Sequence, residues 1–66
     1  MQIYDFVEKE LQYLRDNCNF TPDESTYFEL RAKGLSNVQI AMEMYISESK
    51  VSKLARKVKS KILRVL

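Results

Sequence analysis

Two capping boxes in the middle of this chain dictate helices before any other feature is considered. Thr21-Pro22-Asp23-Glu24 puts a hydroxyl at an N-cap, proline at the first helical position and a carboxylate at N3. The hydroxyl can accept an orphan amide of the first turn while the carboxylate reaches back to the amide of the cap. Ser36, with Gln39 three residues on, repeats the device, and Ser47 supplies a third cap. Gly34, the chain's one glycine, stands between the first two starts, where a helix must stop in a left-handed conformation.

Apolar spacing fills in the helices around these caps. A first helix is expected from about Gln2 to Arg15, with Ile3, Val7, Leu11 and Leu14 on one stripe, widened by Phe6 and Tyr13. The polar run Asp16-Asn17-Cys18-Asn19 ends it. The second carries Tyr27, Phe28, Leu30 and Ala32; the third is short, with Ile40, Ala41 and Met44 inward and Leu35 at its start. Tyr45 and Ile46 connect it to a fourth helix over about 48–64. Strict alternation and hairpin-turn dipeptides are absent, so the chain reads as all-α: one four-helix domain over residues 1–66.

Sixty-six residues lie near the lower limit for folding without staples. Cys18 is the only cysteine and there is no histidine, which excludes an intramolecular disulfide and a Cys/His metal site. Cys18 reads as a small, partly buried residue just past a helix end. No metal and no cofactor is expected. Without histidine or a glycine-rich phosphate loop an enzyme is not expected either, and Asp23, Glu24 and Glu29 read as surface acids. No apolar run approaches the roughly 18 residues of a membrane span, and the start MQIYDFVEKE is too charged for a signal peptide. A cytoplasmic protein with no membrane contact is expected.

Charge is sharply divided along the chain. Residues 47–64 hold Lys50, Lys53, Arg56, Lys57, Lys59, Lys61 and Arg64 against Glu48 alone, whereas residues 1–46 hold four cations and eight carboxylates. At about 100° per residue, Val51, Ala55, Val58, Ile62 and Val65 make an apolar stripe with Leu54 at its edge. Ser49, Lys53, Arg56 and Ser60 lie opposite, flanked by Lys50, Ser52, Lys57 and Arg64. The cationic face must then look outward. Such a face is either simply solvated or matched to a polyanion. A short helix, a tight turn and a longer cationic helix is the helix-turn-helix arrangement; a plain four-helix bundle would show the same spacing.

Several motifs in register extend the reading. Residues 20–62 resemble, without a gap, the DNA-binding domain of LuxR-type (GerE-like) transcription regulators. Phe20-Thr21-Pro22-Asp23-Glu24 is similar to their Leu-Thr-Pro-x-Glu. Ala32-Lys33-Gly34-Leu35-Ser36-Asn37 matches Ala-x-Gly-x-Ser-Asn, Ile40-Ala41 matches Ile-Ala, and Ile46-Ser47 with Val51 matches Ile-Ser-x-x-x-Val. Region 4 of sigma factors shares the arrangement. The resemblance implies a domain over 20–66 whose last helix enters the major groove, with Ser49, Lys50, Ser52, Lys53, Arg56 and Lys57 meeting DNA. Lys50, Lys53, Arg56 and Ser49 would read bases, and Lys57, Lys59, Lys61 and Arg64 would hold phosphates. Ser36 and Ser47 would bring helix amides near phosphate. Leu54 replaces a histidine familiar in the family, so base preference does not carry over.

The family's further pairing helix has no counterpart before Leu66, and residues 1–19 lie outside the motif. That N-terminal helix and linker would either close the monomer core or form the seam of a homodimer through Ile3, Phe6, Val7, Leu11 and Leu14. The expected function is a sequence-specific regulator of transcription that binds double-stranded DNA. The alternative is a protein-interaction module that docks on RNA polymerase or another regulator through the acidic N-terminal half, where Asp5, Glu8 and Glu10 stand beside Phe6 and Val7.

Overall fold

The computed structural model describes residues 3–66, with Tyr4 described for its backbone alone. After a 3-10 turn at Ile3–Asp5 come α1 (Glu8–Asn17), α2 (Pro22–Ala32), α3 (Asn37–Met44) and α4 (Glu48–Val65), with no strand among the described residues. Three of the four helices begin where the caps require. Thr21 Oγ1 accepts from the Glu24 amide at 3.3 Å while Glu24 Oε1 accepts from the Thr21 amide at 3.0 Å. Ser36 and Gln39 form the same reciprocal pair at 3.3 and 2.9 Å. Ser47 Oγ accepts from the Lys50 amide at 3.2 Å. Each cap is worth about 1 kcal/mol.

The first helix differs from expectation. The stripe from Ile3 through Leu14 suggests one helix from about Gln2, but Gln2 lies outside the described residues and the chain breaks before Glu8. Val7 is the N-cap of α1; its amide is satisfied by Glu10 Oε1 at 3.0 Å, and it has no side-chain oxygen to advertise the start. The break lets the 3-10 turn fold back against α2 and bury Ile3, which a straight helix would carry away from the core. At its other end α1 takes in Asp16 and Asn17 and stops at Cys18, whose amide donates to the Leu14 carbonyl at 2.8 Å.

One core joins all of these elements. Phe28, Ile40, Val51, Val58 and Ile62 are fully buried, with Leu11, Leu14, Tyr27 and Ala41 beside them. Helix α4 supplies the inner stripe that α2 and α3 pack on, while α1 crosses it. Fully burying one such aliphatic side chain stabilises by roughly 1.5–3 kcal/mol. Phe20, between α1 and α2, sets its ring 5.1 Å from that of Phe28.

Two left-handed residues shape the connections. Gly34 (φ 95°) follows α2, and the Leu35 amide returns to the Leu30 carbonyl at 3.3 Å, closing the helix end. The second such residue, between α3 and α4, is a tyrosine. Tyr45 has φ 57° and ψ 42°, and the Ile46 amide donates back to the Ala41 carbonyl at 3.1 Å. A left-handed L-residue other than Gly, Asn or Asp costs about 1–2 kcal/mol. The Tyr45 side chain is 94 % exposed and offsets none of this by burial. Tyr45→Gly is therefore expected to stabilise the domain by a net ~0.5–1 kcal/mol after the larger entropy of an unfolded glycine is deducted. Thermal unfolding would register it as an increase of several degrees; a lower melting temperature would show that the tyrosine ring stabilises the turn.

Candidate nucleic-acid interface

Helix α4 begins immediately after the tight turn, and its inner stripe of Val51, Val58 and Ile62 fixes its rotation about its own axis. The opposite face is thereby forced outward. Ser49, Lys50, Ser52, Lys53, Arg56, Lys57 and Arg64 are all exposed, as are Lys59 and Ser60. None of these side chains makes a hydrogen bond or ion pair among the described residues. Cations without a close partner on a rigid helix remain available to an external anion, although Lys57 also acts at longer range on the Glu24 carboxylate. Ser36 and Ser47 are exposed as expected, with their oxygens committed to the caps.

Lys61 sits differently from the other cations of α4. Its place in the cationic run groups it with the phosphate-binding residues, but it turns inward. Its ammonium donates to Glu24 Oε1 and, at 2.7 Å, to the Asn19 carbonyl, and only 27 % of its side chain is exposed. Glu24, expected as a surface acid, is 3 % exposed. The same carboxylate thus closes the α2 capping box and anchors the far half of α4. The Lys61 ammonium, followed by the hydrogen bond from the Thr21 amide, holds the Glu24 carboxyl below the usual carboxylate range.

A second tie has no counterpart in the sequence expectations. Arg15 of α1 donates from Nε and Nη2 to the two oxygens of Glu29 on α2, at 2.7 and 2.9 Å, and from Nη1 to Glu8 at 2.8 Å. This fork-on-carboxylate geometry is among the stronger side-chain pairings. Tyr13 Oη adds a bond from α1 to the Val65 carbonyl of α4 at 3.1 Å. Cys18 is partly buried as expected; burial raises its thiol pKa.

The N-terminal residues offered for a dimer seam mostly serve the chain's own core. Ile3, Leu11 and Leu14 are buried and Phe6 packs against them, so of the five only Val7 stands exposed. The reading in which this segment closes the monomer core accounts for these positions, because the 3-10 turn and α1 supply apolar surface that α2 and α4 would otherwise leave wet. Exposed apolar side chains lie elsewhere: Tyr13, Leu63 and Leu66, and, on α3, Val38 and Met42. The α3 pair does not figure among the sequence candidates, although their spacing of four, opposite Ile40 and Ala41, is the available signal.

Compared with known protein families, residues 19–63 match the luxR family of bacterial regulatory proteins, in its GerE domain. The chain belongs to this family. The match spans α2, α3 and nearly all of α4, leaving α1 outside it. No curated protein and no solved structure matches significantly. In general terms this luxR-family chain is a DNA-binding regulatory protein. Among the described residues no group of acids and cysteine could hold a metal, and no helix is long and apolar enough to cross a membrane.

Proposed function

We propose that this luxR-family protein is a sequence-specific, double-stranded-DNA-binding regulator of transcription, acting in the cytoplasm, with α4 as the helix that enters the major groove. The observation that carries the reading is the outward row of unpaired Lys50, Lys53, Arg56 and Lys57 at the start of a helix that follows a tight turn. Arg56 would engage guanine through two N–H donors, Lys50, Lys53 and Ser49 would contact other base edges, and Ser52 with Lys57 and Arg64 would hold the flanking strand. Lys61 is left out of this set, since its ammonium is committed to Glu24.

Two protomers would present such helices to half-sites about 34 Å apart. The apolar side chains available for pairing are Val7, Tyr13, Leu63 and Leu66 rather than the buried stripe of α1. Selection of bound duplexes from a random pool at about physiological salt tests both statements. An inverted repeat is the expected outcome; a single short site would remove the dimer, and no enrichment would remove specific recognition. Binding should also weaken with salt, log K falling against log salt with a slope of about −4 to −5 for some four to six neutralised phosphates. A flat response would contradict the electrostatic basis of the proposal.

A second reading has one observation in its favour. Val38, Met42 and Tyr45 leave an apolar strip on the outside of α3, beside the exposed Glu43. Such a strip suits docking on RNA polymerase or another regulator. Loss of that docking on Met42→Glu, with duplex binding intact, would separate the two activities.

A further inference from the structure

Beside the cationic face of α4 runs a groove of about 230 Å³, walled on its far side by the start of α2. Its floor is apolar, made by Ile46 from the turn and Leu54 from α4. Its rim carries Lys50, Lys53 and Lys57, spaced along α4 so that they follow one flank of the helix, and the opposite wall carries Asp23. The lysines are exposed and unpaired, and Asp23 makes no ion pair with any of them within 4 Å among the described residues.

An apolar floor under a cationic rim fits a chain that alternates uncharged carbon and anion. Deoxyribose carbons can lie on Ile46 and Leu54 while the phosphates between them face Lys57, with Lys50 and Lys53 reaching past the rim to the base edges. Resting on the DNA-binding reading above, we infer that this groove takes the sugar–phosphate backbone of one DNA strand, and that Asp23 acts in it as an electrostatic brake. Its carboxylate opposes phosphate at a contact that is the same on every sequence. The brake lowers affinity for all duplexes alike, so that residence on DNA depends more on what Ser49, Lys53 and Arg56 find at the base edges. Asp23 also lies in the first turn of α2, where a negative charge is favourable to the helix. Its effect on stability and its effect on DNA thus have opposite signs in a neutral variant, which makes them separable.

The test is Asp23→Asn, measured by fluorescence anisotropy on a selected duplex and on an unrelated duplex of equal length, across a range of salt. Asp16→Asn, the same charge change at the far end of α1 and outside the groove, is the control. Asp23→Asn is expected to bind the unrelated duplex roughly 3- to 10-fold more tightly near 0.1 M salt, with a salt slope steeper by about one. Asp16→Asn should stay within about twofold of the parent by the screening of distant charge. Partial unfolding could only weaken binding, so a gain cannot arise from lost stability. Equal gains in the two variants would reduce the effect to net charge and overturn the inference, as would weaker binding by Asp23→Asn. If Arg56→Ala still weakens binding in either case, the DNA-binding reading survives without the brake. Absence of binding by every variant and the parent would remove both.

Discussion

Replacing Lys53 and Arg56 together by alanine should lower affinity for a selected duplex by about 30-fold or more, while leaving the melting temperature within about 4 °C of the parent. The first figure follows from about 1–3 kcal/mol for each side chain withdrawn from a base edge, which for two residues is at least about one and a half decades. The second follows from the position of both side chains, exposed and unpaired on the outer face of α4. Exposed substitutions of this kind stay within roughly 0.5 kcal/mol, and alanine favours the helix. Binding titrations and thermal melts on the same samples check the pair of outcomes. Retained affinity would move the function of α4 away from DNA and toward the docking strip on α3.

The opposite pattern is expected at Lys61. Lys61→Met keeps most of the apolar stem but leaves the Glu24 carboxylate, 3 % exposed, without its cation. Breaking a buried pair from one side typically costs about 3–5 kcal/mol. Because Lys61 itself is partly in water, a loss of about 2–3 kcal/mol is the better expectation. For a domain of this size the core yields only about 3–5 kcal/mol in all, so the variant should keep about 0–3 kcal/mol and melt roughly 10–20 °C lower. Adding Glu24→Gln should restore much of the loss, since the neutral amide no longer needs a cation.

Acid makes a related prediction for the parent protein. The folded-state pKa of Glu24 is depressed, chiefly by Lys61 and then by the Thr21 amide. The unfolded chain therefore takes up this proton first, at about pH 4.3. The stabilisation is complete above that value and is lost as pH falls through the lower folded one. Chemical denaturation between about pH 6 and pH 3 should show this loss in the parent. Lys61→Met should show far less of it.

How much of the fold is legible in the sequence depends on whether the determinant is local. The starts of α2, α3 and α4 follow from Thr21, Ser36 and Ser47, whose hydroxyls act on amides three residues away, and the structure places those helices as the caps require. The outward cationic face follows from the period of Val51, Val58 and Ile62. The start of α1 is hidden because Val7 offers no oxygen, and its cap depends on the Glu10 side chain reaching back. The inward tie of Lys61 is hard to read because its neighbours along α4 closely resemble those of Lys57. Its partner, Glu24, lies 37 residues away and reaches it only once α2 and α4 have packed. The one advance sign is its angle on α4, nearer to Leu54 and the apolar stripe than that of Arg64. For Arg15, likewise, the link to Glu29 spans two helices whose crossing no spacing rule specifies.

The tyrosine at the joint between α3 and α4 has a consequence for how the domain acquires its shape. A glycine or asparagine there would favour the bend by itself, so the two helices could find their angle early and independently. Tyr45 disfavours the bend, and its ring, 94 % exposed, contributes almost no packing in return. The angle between α3 and α4 is therefore held by side chains on either side of the joint, with Ile40 and Val51 buried in the common core and Ile46 packed against it. Excised from α1 and α2, the α3–α4 pair would straighten or fray. The angle between α3 and α4 is thus a property of the finished domain, and whatever loosens the core releases that angle as well.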